Sequence, residues 1–220
     1  MRADPVIAAA PVVRLPWFAL GCMALLAALV SPLENAAHDL FSAHMAQHLV
    51  LVYVAAPLFV AAFPGVTLPR ALTSVVVVWS LHIAALWAWH LPSLYTVALY
   101  ENAVHVLEHT SFLGTAILFW YAVASPNAAR LDAPRALLLV FITAVAGGAL
   151  GAVLTLAPTP LYEIHRAGTE AWGLTLLEDQ QLAGLVMWVP AGVVYLGTAC
   201  ALFVGWMRRL EREMPRIGTK

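Results

Sequence analysis

The strongest constraint on the chain is a succession of apolar runs, at about residues 16–30, 44–63, 71–89, 102–123, 134–156 and 178–206. Most approach the roughly 20 residues a helix needs to cross the hydrocarbon of a bilayer. In lipid, backbone polar groups must be satisfied within a helix or a closed barrel, and runs this long predict helices. Composition agrees, with 62% of the 220 residues hydrophobic, 10% charged and a mean hydropathy of +0.84, well outside the range of soluble domains. The expected fold is all-α: a polytopic membrane bundle of about six transmembrane helices with short interfacial helices on its outer side. No internal repeat divides it, so residues 1–220 form a single domain.

Local signals refine this outline. Arg2 and Arg14 precede the first run, which reads as a retained span; a basic start before an apolar core also fits a cleaved signal peptide. Ser31-Pro32-Leu33-Glu34 has the spacing of a capping box with proline at the first helical position, predicting a short surface helix. Pro92–Tyr100 predicts a second, and Thr175-Leu176-Leu177-Glu178 opens the last span as a capping box. Pro57 predicts a kink and a freed carbonyl about one turn earlier. The last span runs through Pro190, and kinks at the two prolines would let their helices shift. Gly147 and Gly151 have the GxxxG spacing of closely approaching helices. Cys22 and Cys200 lie in separate runs without CxxC spacing and read as packing residues.

The net charge of −1 carries little information, whereas the placement of the basic residues carries much. Arg2, Arg14, Arg70, Arg130, Arg135, Arg208, Arg209, Arg212, Arg216 and Lys220 fall in alternate loops and at the ends, leaving Arg166 on the other side. With six spans the positive-inside rule puts both termini in the cytoplasm of a bacterial inner membrane. Every histidine then lies on the outer side or in the outer half of a span, at the level of Glu34, Asp39, Glu101, Glu108, Glu163, Glu170, Glu178 and Asp179. Ionisable groups in a membrane are costly, and such a cluster marks a functional site.

Two histidine pairs carry the chemistry. His44 and His48 open one apolar run, and His105 and His109 open another. Residues four apart share a helix face, so two such helices side by side offer four imidazoles to one metal ion or haem. Glu108, inside the second pair, is expected to orient a ligating imidazole as an acceptor. His82 and His90 read either as ligands or as partners of a neighbouring helix and of their own helix end. Met45 and Met187 are thioethers soft enough for Cu(I), or packing filler. Asp179 and Gln180 stand at a helix amino end, where capping alone accounts for an acid. His38 and His165 read as interfacial residues bonded to water or a carbonyl.

Four stretches carry a resemblance: FSAHMAQHLVLVYVAAPL at Phe41 to Leu58, WHLPSLYTVAL at Trp89 to Leu99, HVLEHTSFLGTAILFW at His105 to Trp120, and DQQLAGLVMWVPAGVVY at Asp179 to Tyr195. They are similar to the membrane-embedded CtaG family of cytochrome c oxidase assembly factors. The resemblance implies a role in maturing a haem-copper oxidase, with copper delivery or insertion as the activity. It implies oxidase subunits as partners, and His44, His48, His90, His105, Glu108, His109 and Asp179 as site residues; a site near the outer surface suits loading by a periplasmic copper donor, and membrane lipid is a further expected partner. No catalytic role follows from it. Three other classes fit the residues alone: a bis-histidine haem protein, a membrane zinc hydrolase with Glu108 or Asp179 as base, and a structural subunit or uptake channel. There is no HExxH, Walker-A or dinucleotide-binding pattern, and the basic tail suits topology and anionic lipid rather than nucleic acid.

Overall fold

The computed structural model of the protein describes residues 13–124 and 131–213; Arg2, Arg130, Arg216, Lys220 and most of the expected turn at 125–132 lie outside the described residues. Helix α1 (Leu15–Leu29) is followed by α2 (Pro32–Asp39), and α3 (Phe41–Val50) runs through a π-helical turn (Leu51–Ala55) into α4 (Ala56–Ala62). Next come α5 (Val75–Trp89), α6 (Pro92–Tyr100), α7 (Asn102–Ala124) and α8 (Ala133–Leu156), then the short α9 (Arg166–Ala171) and the long α10 (Leu176–Glu213). No strand occurs among the described residues.

Four of these helices are long and apolar enough to cross a membrane alone: Phe41–Ala62, α7, α8 and α10. The two remaining expected spans are broken pairs, α1 with α2 at 42° and α5 with α6 at 76°. At 15 residues, α1 and α5 are each only about 22 Å long, short of the roughly 30 Å hydrocarbon core. The break after α5 follows from Leu91-Pro92, where proline restarts the chain as a new helix. α5 itself begins four residues later than its apolar run, because the Ser74 hydroxyl accepts from Val77 N–H and caps it there.

The kink expected at Pro57 takes the form of the π-turn just before it. Ala56 N–H reaches back to the Leu51 carbonyl, five residues earlier. In that register Pro57, having no N–H, leaves the Val52 carbonyl unsatisfied. The Trp120 indole N–H of α7 donates to that carbonyl at 2.7 Å. The core around this bond packs Val52, Ala56, Phe112, Phe119, Trp120, Tyr121 and Leu139. As expected, α10 runs on through Pro190.

Helices α8 and α10 approach most closely where Gly151 faces Gly184. A Cβ at Gly184 would lie 2.7 Å from the Gly151 carbonyl oxygen and would overlap the Thr155 hydroxyl, and a Cβ at Gly151 would meet Trp188 at 2.7 Å. Gly147 of the expected GxxxG pair makes only ordinary contact with Leu86 of α5. The close approach therefore pairs one glycine from each helix rather than two from α8.

The arginines sort by end. The Arg14 amide donates to the Ala62 carbonyl at the end of α4, Arg135 starts α8, and Arg208, Arg209 and Arg212 close α10. α3 begins, and α7 and α10 begin, at the opposite end, where the histidines gather. Among the described arginines, Arg166 alone joins them, paired there with Glu163.

Candidate metal centre

Helix α3 begins at Phe41, one residue after the extended Leu40. Its first amides are held by a group from far along the chain: the Asp179 carboxylate accepts from Phe41 N–H at 2.7 Å, Ser42 N–H at 3.1 Å and the Ser42 hydroxyl at 2.5 Å. A carboxylate at a helix amino end is stabilised by the free N–H groups and the helix dipole. Asp179 thus caps α3, not its own helix. At the start of α10 the capping is done by Thr175 and Glu178, whose amide and side-chain groups exchange bonds of 2.8 and 3.2 Å. The corresponding Glu34 of α2 does something different: its carboxylate accepts from Gln47 Nε2 at 2.5 Å, and Gln47 also donates to the Ala28 carbonyl, tying α3 to the α1–α2 bend.

With α3 so anchored, His44 and His48 point inward one turn apart, their ring centroids 4.5 Å from each other. Helix α7 presents Glu108 and His109 to the same space. His44 Nε2 lies 3.6 Å from one Glu108 oxygen and His48 Nε2 lies 3.6 Å from the other. The His109 ring is 5.7 Å from His44 and 5.3 Å from His48. One ligand atom from each of the four residues falls within 4.8 Å of all the others. Glu108 is fully buried, and its three imidazole neighbours are buried with it.

None of these polar atoms has a hydrogen-bond partner: both nitrogens of His44 and His48, Nε2 of His109 and both oxygens of Glu108 are unsatisfied. Buried polar groups are normally paired, and a bare buried carboxylate costs several kcal/mol. At 3.6 Å the imidazole and carboxylate atoms are too far apart to bond each other. They are close to the roughly 3.4 Å that separates two nitrogen or oxygen ligands about 2.1 Å from a tetrahedral ion. The donor set of three imidazoles and one carboxylate therefore fits a first-row divalent or copper ion. Glu108 turns one oxygen to His44 and the other to His48, a place closer to the centre than the orienting role its position between His105 and His109 suggests.

The other predicted residues take several places. His105 packs tilted against His109 at 4.2 Å and lies 5.5 Å from His44, with its own Nε2 unsatisfied, at the edge of the cluster. His90 Nε2 lies 3.0 Å from Met45 Sδ, and its Nδ1 lies 2.6 Å from the Leu86 carbonyl. His82 bonds Thr115 of α7 at 3.1 Å and stacks on Phe119, away from the cluster. Met187 lines the cavity below, and Asp179 acts through α3 as described.

A roof of residues that sequence reasoning missed closes the cluster. Tyr95 of α6 packs 5.1 Å from His44 and lies 2.7 Å from His165 Nε2, and Tyr162 donates to the His90 carbonyl at 2.6 Å. Phe41 packs between them, edge-on to Tyr95 and tilted against Tyr162. His165 is therefore a buried roof residue rather than an interfacial one, and burial lowers its imidazole below the ordinary value of 6.5. Burial likewise raises the Tyr162 phenol. His38 remains at the surface beside Glu34. Gln180 fixes the roof loop by accepting from Leu161 N–H at 2.6 Å. The aromatic residues of WHLPSLY and LYEIH were visible in the sequence, but nothing in it said which cluster they cover.

Fold and site together define an all-α, polytopic membrane bundle that encloses a histidine and carboxylate centre at the end opposite most of its arginines. Within that class, the chain belongs to the cytochrome c oxidase caa3 assembly factor family (Caa3_CtaG), whose sequence model matches residues 1–209. Neither the curated proteins nor the solved structures contain a match to it.

Proposed function

We propose that the chain carries copper, held as cargo between His44, His48, His109 and Glu108, for the copper centre of cytochrome c oxidase. The single observation behind this reading is the enclosed group of converging ligand atoms that lack any hydrogen-bond partner. Family membership supplies the destination, since an assembly factor acts on oxidase subunits. The imidazole set suits copper in either oxidation state, and the lone carboxylate lowers the cost of holding a divalent charge in an apolar bundle. The rings lie within 5.7 Å of one another under a packed roof, a space suited to an ion rather than to a porphyrin. A hydrolytic zinc centre would keep an open position for water and substrate; here Tyr95 and the roof loop cover the site. The protein is accordingly a carrier and not an enzyme.

By the positive-inside rule, the arginine end faces the cytoplasm and the cluster faces the periplasm, with both termini inside. A periplasmic donor then loads the site through the roof. The test is to purify the full chain in detergent, expose it separately to Cu(II) and to reduced Cu(I), desalt it, and measure bound metal with the visible spectrum. Near-stoichiometric Cu(II) that is lost in the His44→Ala, His48→Ala double variant supports the reading. A haem Soret band, or Cu(II) retained in full by a folded double variant, overturns it.

A further inference from the structure

Below the cluster lies an apolar cavity of about 130 Å³, lined among others by Met45, His48, His82, His90 and Met187. It holds a contact that the cluster does not explain. His90 Nδ1 lies 2.6 Å from the Leu86 carbonyl, and a carbonyl only accepts, so Nδ1 carries the proton of the neutral ring. Nε2 is then a bare lone pair, and it faces Met45 Sδ at 3.0 Å. A thioether sulfur has no proton to give. Two acceptors, both on side chains more than nine-tenths buried, thus converge with no donor between them. The Leu86 carbonyl orients the ring, and the backbone of His90 is held as well, its carbonyl accepting from the Tyr162 hydroxyl.

We infer that His90 Nε2 and Met45 Sδ, with Met187 on the same cavity wall, form a second metal site that takes Cu(I). The chemistry of the donors selects the ion. Thioethers are soft ligands that favour Cu(I), and an imidazole completes a low-coordinate set without adding negative charge to an apolar cavity. Divalent ions prefer the harder cluster, where Glu108 supplies charge. Methionine is unbranched with freely turning torsions, so Met45 can swing outward to admit an ion between sulfur and nitrogen. His48 borders both sites: it belongs to the cluster, lines the cavity, and has its ring 6.1 Å from that of His90. The two sites are therefore one imidazole apart, and Cu(I) passes between them by ligand exchange with no change of oxidation state.

The site stands on residues other than the four of the cluster, and its test separates the two. The full chain in detergent, anaerobic and carrying His44→Ala and His109→Ala to disable the cluster, is titrated with Cu(I) against a chromophoric chelator. Its X-ray absorption spectrum is recorded alongside, and Ag(I) serves as a second probe. A sulfur scatterer bonded to the bound ion is expected, together with at least a roughly tenfold loss of affinity when Met45→Leu is added. Leucine conserves the volume of methionine, so the fold is kept. Met45→Leu is also made in the otherwise unaltered chain, where the sulfur signal must fall while cluster-bound copper remains. A bound ion with nitrogen and oxygen neighbours only, or a sulfur signal unchanged by both Met45→Leu and Met187→Leu, overturns the second site. Either result leaves the cluster reading to its own test.

Discussion

Asp179→Asn is expected to loosen the metal centre without touching it. The wild-type carboxylate accepts three bonds at the amino end of α3, from Phe41 N–H, Ser42 N–H and the Ser42 hydroxyl. Asparagine keeps the shape, yet its amide nitrogen must face one of those donors. One charge-assisted bond is lost, worth about 1.5–3 kcal/mol, and the favourable interaction of charge with helix dipole adds about 0.3–1 kcal/mol. The expected destabilisation is ~2–4 kcal/mol, a Tm fall of roughly 4–16 °C for a chain of this size. His44 and His48 lie within the first two turns of α3, so copper affinity should fall by about 10–100-fold, as for other residues that orient ligands. Ser42→Ala removes only the hydroxyl bond and should cost about 0.5–1.5 kcal/mol. Thermal unfolding in detergent gives the stability, chelator competition gives the affinity, and the double variant gives the coupling. Asp179→Asn within 0.5 kcal/mol of wild type, or a strictly additive double variant, would refute this account of the anchor.

Three further outcomes follow from the packing. Trp120→Phe strands the carbonyl of Val52 and should cost about 1–3 kcal/mol by thermal unfolding, and adding Pro57→Ala, which restores an N–H, should recover part of it. Gly184→Ala, which meets the Gly151 carbonyl and Thr155, should cost about 1–3 kcal/mol, whereas Gly197→Ala faces open space and should stabilise by about 0.4–1 kcal/mol. His165 has its folded-state value lowered, so unfolding of the roof takes up a proton below about pH 6.5. Roof stability should therefore be full above that pH and fall as pH drops through it. Hydrogen exchange of residues 157–175 should show acid loosening that is smaller in His165→Gln.

The histidine pairs were legible because helical periodicity is a local property: residues 44 and 48, or 105 and 109, share a face whatever the rest of the chain does. The membrane runs were legible for the same reason, except that α1 and α5 are shorter than a full span and bend at Pro32 and Pro92. What local pattern does not contain is the choice of partner. Asp179 has the position of a cap for its own helix, but Thr175 and Glu178 fill that role and free it to hold α3 from 137 residues away. Pro57 announced a freed carbonyl, yet the π register decided that it would be Val52, and only packing brought Trp120 to it. Tyr95, Tyr162 and His165 form a roof through contacts between α6 and the loop before α10, which no spacing rule encodes. From its position between His105 and His109 Glu108 reads as a helper, because carboxylates often orient histidines; burial with one oxygen toward each of His44 and His48 draws it toward the centre.

The most direct test of the carrier role is the copper content of the oxidase itself. Cytochrome c oxidase is isolated from cells whose own copy of this chain carries His48→Asn and His109→Asn, and its copper-to-haem ratio is compared with wild type. With the variant present in the membrane at normal level, the account predicts an oxidase that retains haem and lacks copper, with copper restored by the wild-type chain. Full copper in the oxidase of the variant cells would contradict it.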